Sequence, residues 1–160
     1  MSGSSALEFM QQAAAAMTSG KFWVAAECLR QALAQTEPAG ENWRQAIPVA
    51  QQIGDDHAAA LAAQRLWRET GDRPDVAFTL AETLTTAGRA GAAVDVLLPH
   101  ADAGRLSDDQ CFRLTRMLMF AGRLEEAEDR ARALLARHAD SQTLWERIAH
   151  TKRFTPGDPD

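Results

Sequence analysis

The chain has 160 residues, 46% of them hydrophobic and 24% charged, which is the composition of a globular protein and excludes a disordered one. A formal net charge of −5 argues against a nucleic-acid partner, because a phosphate backbone is met by a basic face. No apolar run reaches the roughly 20 residues that cross a bilayer, and the opening MSGSSALEFM lacks the basic start and apolar core of a secretory signal, so a cytoplasmic protein without a membrane partner is expected.

Ala, Leu, Gln, Glu and Arg dominate the composition, so helix is expected throughout and sheet nowhere. From the N-terminus, apolar residues fall at helical spacing in FMQQAAAAM (9–17) and, beyond Gly20, in VAAECLRQAL (24–33). The pattern returns as WRQAIPVAQQI and HAAALAAQRLW on either side of Gly54, and as VAFTLAETLTTA and AAVDVLLPH about Gly88. It comes a fourth time as CFRLTRMLMFA and EEAEDRARALLA about Gly122. The four glycines stand 34 residues apart, and Ala25, Ala59, Ala93 and Ala127 keep the same interval, which is the signature of a repeat array. Each Gly falls where a first helix must stop, at a position needing positive φ or a tight approach. Each Ala lies where the second helix comes close to the first, so a larger side chain would push the pair apart.

After the fourth pair, SQTLWERIAH (141–150) starts another first helix, with Asp140 or Ser141 as its cap and Trp145 and Ile148 expected to be buried. The closing TPGDPD forbids a second helix in register. The reading is a single array over residues 1–154, with repeats at about 6–39, 40–73, 74–106 and 107–140, a half repeat at 141–154, and a flexible tail at 155–160. The face left open by the half repeat suits self-association or docking of a further domain.

A 34-residue helix–turn–helix unit of this kind resembles the tetratricopeptide repeat (TPR), and the resemblance covers residues 6 to about 154. Matching that family's pattern, Phe9, Trp43, Cys111 and Trp145 stand at the aromatic-favouring position early in the first helix, and Phe22 and Leu124 just after the turn. Leu80 and Leu114 match the first-helix leucine, and Ala32, Leu66 and Leu134 the late second-helix apolar position. Ala13, Ile47, Ala81 and Thr115 depart from the family's mid-helix Gly, and the terminal Pro is displaced to Pro38 and Pro74. The resemblance implies an all-α fold, a right-handed superhelical solenoid of antiparallel helix pairs with four hairpins and a terminal helix. It implies a non-catalytic scaffold that binds a protein or peptide segment on its concave face. LWERIAHTKRFTPGDPD (144–160) is in addition similar to the junction of bacterial TPR-containing sulfotransferases, which implies an alternative. The chain would then be the N-terminal accessory domain of a sulfotransferase whose catalytic domain it lacks, since no Gly-rich phosphate loop occurs in it.

Nothing in the residues supports catalysis, a cofactor or a metal. His57, His100, His138 and His150 lie in different repeats without ligand spacing, and no Ser or Cys stands in a nucleophile motif. His57 and His138 read as exposed helix-end residues, whereas His100 occupies a late second-helix slot and is expected to be partly buried. Cys28 and Cys111, in non-adjacent repeats, are not expected to pair.

Frame positions on the first helices give the candidate partner-binding groove: Met10, Arg44, Gln51, Phe78, Glu82, Phe112, Arg116, Phe120, Glu146 and His150. Arg44 and Arg116 would clamp a carboxylate while Phe and Met take apolar anchors. The competing reading has Phe112, Met119 and Phe120 packing between helices. Pro48 falls inside the second repeat's first helix, where it frees the carbonyl of Arg44 and either kinks the helix or marks a late start.

Overall fold

Every regular element of the computed structural model, which describes residues 5–36 and 38–151, is a helix. In chain order these are α1 (Ala6–Thr18), α2 (Phe22–Ala34), a short 3₁₀ turn (Gly40–Asn42), α3 (Trp43–Gln52), α4 (Asp56–Thr70), α5 (Pro74–Thr86), α6 (Ala90–Asp102), α7 (Asp108–Phe120), α8 (Leu124–Leu135) and α9 (Gln142–Thr151). No helix among the described residues is long and apolar enough to cross a membrane. The all-α fold of paired helices expected from the period is therefore the observed one.

The period has a plain stereochemical origin. Gly20, Gly54, Gly88 and Gly122 all adopt positive φ, between 69° and 76°. At Gly122 the amide donates to the Met119 carbonyl at 3.0 Å and the next amide, of Arg123, to Leu118 at 2.9 Å, which closes the last turn of α7 in a Schellman cap. A Cβ at Gly122 would meet nothing within 4 Å, so the left-handed backbone selects glycine there, and tight approach plays no part. Ala25, Ala59, Ala93 and Ala127 are all buried. Helix starts are equally local: Ser5 with Glu8, and Ser107 with Gln110, form reciprocal capping boxes, Asp55 accepts from the Ala58 amide, and Pro74 opens α5.

The chain divides into two compact units between Gly88 and Arg89, inside the third of the expected repeats. In the first unit α1 packs on α2, α3 on α4, and α5 on α4, about a core that includes Met10, Leu29, Trp43, Leu66 and Leu80. Its link from α2 to α3 is fastened by α4. Glu69 accepts from the amides of Ala39 (2.8 Å) and Gly40 (2.7 Å) and from the Trp43 indole (3.0 Å), and Arg65 donates to the carbonyls of Gln35 (2.6 Å) and Leu33 (2.8 Å). In the second unit α6 packs on α7, α7 on α8 and α8 on α9, with Leu134, Leu135, Leu144 and Ile148 forming one cluster.

One local expectation changes and one alternative is settled. Trp145 is 55% exposed, its indole donating to the Ala139 carbonyl, because α9 buries the i, i+4 pair Leu144 and Ile148 and so turns residue 145 outward. Ile148 is buried as expected. Pro48 stands within α3, which begins at Trp43 directly after the 3₁₀ turn, so the late-start alternative is excluded. Phe22, just after the first turn, is more than half exposed. His100 is buried, while His57 and His138 are exposed; Cys28 and Cys111 are both free. Residues 155–160, expected to be a tail, lie outside the described residues.

Candidate partner-binding site

In the first unit the expected groove residues part company. Met10 is 1% exposed and belongs to the core: α1 buries Ala6, Met10 and Ala13, a stripe turned from the one assigned to the groove. Its side chain is closed to any partner. Gln51 is exposed, and Phe78 and Glu82 are half-buried on α5. Arg44 is exposed but occupied, its guanidinium reaching Asp75 at 3.1 Å and Glu41 at 3.2 Å. Arg73 bonds the same two carboxylates, so two cations and two anions close a neutral ring over the start of α5. Burial works to raise the Asp75 carboxyl, yet the bonds and charges of Arg73 and Arg44 prevail and hold it below the ordinary carboxylate value. Arg44 thus brings no spare charge to a ligand.

In the second unit three of the expected residues share one helix. Phe112, Arg116 and Phe120 follow one another at four-residue intervals along α7 and so line one face of it. Phe112 is half-buried beneath Arg147 of α9, whose guanidinium lies 3.8 Å from the ring centroid. One nitrogen of that guanidinium, Nη1, donates to the Phe112 carbonyl at 2.8 Å and to the Thr115 hydroxyl at 2.7 Å. Burial first, and then the charge of Arg116, hold Arg147 below the usual guanidinium value. Arg116 itself is exposed and makes no ion pair with a described residue, and Phe120 is 66% exposed. Glu146, which accepts from Gln142 at 3.0 Å, and His150 are exposed on α9.

Two features escaped the sequence. Arg147 is a side chain that ties α9 to α7, and its one signal was its place between the apolar Leu144 and Ile148. The other is a groove of about 840 Å³ between α2 and α4, walled by Trp23, Ala26, Leu33, Ala58 and Leu61. Trp23 is 78% exposed. The adjacent pair Phe22–Trp23 at a helix start was the available signal, since two successive helical residues cannot both face the partner helix.

No family model matches the chain, and no curated protein matches it. Solved structures do. The crystal structure of MamA protein aligns with 91% of this chain and 80% of its own, at a TM-score of 0.66 and 14% identity. MamA MSR-1 C2 aligns with 91% of this chain and 84% of its own, at a TM-score of 0.65 and 20% identity. The chain therefore has the TPR-type helical-repeat fold of these proteins. The accessory-domain reading gains nothing from these comparisons, and of the residues that carry it, 152–160 lie outside the described residues.

Proposed function

We propose that the chain is a non-catalytic scaffold that captures a protein or peptide segment on the α7 and α9 face of its second unit. Arg116 carries the reading: it is an exposed guanidinium without a counter-ion among the described residues, standing one helical turn from the exposed ring of Phe120, in a chain with a surplus of acidic residues. A partner that presents an anionic group beside an apolar one meets both, and such complementarity sets specificity and encounter rate. The repeat fold supports the same reading, since helix pairs expose long rows of side chains on rigid elements. No cofactor is invoked.

The test is recovery of partners from native lysate on the immobilised chain, compared with Arg116→Glu and with Arg132→Glu on α8. Loss of a partner with Arg116→Glu alone, by about 2 kcal/mol or more in subsequent affinity measurements, is expected. Equal recovery by both variants would remove this face from the function.

A further inference from the structure

We infer that Arg147, stacked on Phe112 at the α7–α9 edge of the second unit, and Arg116, one helical turn beyond Phe112 on the same face of α7, form a site for a phosphomonoester dianion carried by the partner segment, with Phe120 seating the apolar group next to it. The inference deepens the scaffold reading and rests on it.

Many other arginines of the chain pair with carboxylates. Arg30 ends on Glu27, Arg73 on Glu41 and Asp75, Arg123 on Glu126 and Asp95, Arg130 on Asp102, and Arg137 on Asp108. With 22 acidic residues against 17 basic ones, carboxylates are in surplus, and this chain spends them on its guanidinium groups. Arg116 and Arg147 end on no carboxylate among the described residues; Arg65 does the same, lying on Trp43 and bonding the carbonyls of Gln35 and Leu33, but it stands by itself, whereas Arg116 and Arg147 both border Phe112. Thr115 and Phe112, which receive the bonds of Arg147, are the immediate neighbour of Arg116 and the residue one turn before it, so the two cations converge on one patch of α7. Neither has a carboxylate partner among the described residues; burial first, and the charge of Arg116 second, lower Arg147 from the usual guanidinium value. Two like charges brought together without an anion between them are unfavourable, and they are relieved by a ligand that supplies the missing charge.

Charge count and geometry then separate the candidate anions. A carboxylate carries one negative charge and is planar, matched to a single guanidinium fork. It would leave one of the two cations unmatched. A phosphomonoester is largely dianionic near neutral pH, with a second pKa of about 6, and offers three acceptor oxygens in a tetrahedron that two guanidiniums can share. Arg147 uses Nη1 on Phe112 and Thr115, and no described residue takes Nε or Nη2, which are left to donate. Its stacking on Phe112 fixes the plane of those donors before a ligand arrives, so little ordering entropy is lost on binding. Phe120, in line with Phe112 and Arg116, is the apolar surface beside the charge.

The experiment is an NMR titration of the full chain at constant ionic strength and about pH 7.5, where a phosphomonoester is doubly charged. Phenyl phosphate, inorganic phosphate and benzoate are compared through the Arg Nε–H signals and the amides of α7 and α9. Phenyl phosphate is expected to shift Arg116 and Arg147 saturably, with a Kd at least about tenfold below that of benzoate. Its affinity should fade as the pH is taken below about 6, while that of benzoate holds. Arg116→Gln should abolish the preference and leave the remaining spectrum in place. Equal binding of benzoate and phenyl phosphate overturns the dianion assignment, and so does a response unchanged in Arg116→Gln. Inorganic phosphate as tight as phenyl phosphate overturns the partner-borne ester in favour of free phosphate. If partner recovery fails with Arg116→Glu but phenyl phosphate binds no better than benzoate, the scaffold reading stands and this inference falls; the reverse pattern sinks the scaffold reading and with it the partner segment as the bearer of the dianion, leaving only an anion site.

Discussion

The indole of Trp43, at the start of α3, donates to the carboxylate of Glu69, near the end of α4, and the same carboxylate takes the amides of Ala39 and Gly40. One side chain thus satisfies three donors that the connection from α2 would otherwise leave unpaired. Glu69→Ala should destabilise the protein by about 2–3 kcal/mol, the cost of one buried and two partly buried donors losing a charged acceptor. Urea unfolding followed by circular dichroism checks this. An unchanged midpoint would show that the link is held elsewhere, for example by Arg65 on Gln35 and Leu33.

The alanine at each pair's contact predicts a graded packing response. Ala59 and Ala127 are 1% exposed, whereas Ala133 on α8 faces solvent. Ala59→Leu and Ala127→Leu should each cost about 1–3 kcal/mol through overpacking. Ala133→Leu serves as the control and should stay within about 0.5 kcal/mol, as surface changes do. Thermal melts of the three variants are sufficient.

Gly122 isolates a backbone term from a steric one. With φ at 73° and open space where a Cβ would stand, Gly122→Ala meets no clash, so its cost is the strain of a left-handed L-residue, about 1–2 kcal/mol. Gly122→Asn should cost less than alanine, because asparagine tolerates that region. If alanine and asparagine melt alike, strain is not what selects the glycine.

These positions explain what could be read from the sequence. A left-handed turn and a close helix contact each restrict one residue almost regardless of its neighbours, so glycine and alanine at a fixed interval reveal the pairs. Which side of a helix is outward is a finer question. One residue of rotation is about 100°, and that error placed Met10 in the groove and Trp145 in the core. Arg44 failed for a different reason: Glu41, three residues before it, was a legible local partner that was passed over, and the second anion of the ring, Asp75, lies 31 residues away on another helix, a range at which charge pairing leaves no local pattern. The face of Phe112, Arg116 and Phe120 was legible because all three lie on one helix at regular spacing. Arg147, which completes it from α9, was not.

The ring of Arg44, Arg73, Glu41 and Asp75 makes a prediction about pH. Asp75 has a folded-state pKa below its unfolded value, so it favours the folded form above the ordinary carboxylate range, and that contribution is lost as the pH falls through the lowered value. The group is largely exposed and the effect on stability is correspondingly small, so the site itself is the better readout. By NMR the Asp75 carboxyl should titrate below the ordinary value of about 3.9, and Arg73→Gln should move it upward. A midpoint unmoved by Arg73→Gln would mean that the ring is not closed in solution.

Arg147 and Arg116 should have opposite effects on α9. Arg147 fastens α9 to α7 through the Phe112 carbonyl, the Thr115 hydroxyl and the Phe112 ring, while Arg116 opposes it with a like charge. Arg147→Met keeps much of the apolar stem but removes the donors, leaving the Thr115 hydroxyl without this partner. Amide exchange over residues 142–151 should accelerate severalfold, since local opening of the last helix becomes cheaper by about 1 kcal/mol or more. Arg116→Gln should slow the same amides, because it removes repulsion and breaks no bond. Salt provides the cross-check. Screening weakens the repulsion between the two cations, so raising ionic strength from low to about 1 M should slow α9 exchange in the parent and do little in Arg116→Gln. Faster exchange in both variants would mean that Arg116 supports α9 and does not strain it, which would also remove the charge imbalance on which the anion site depends.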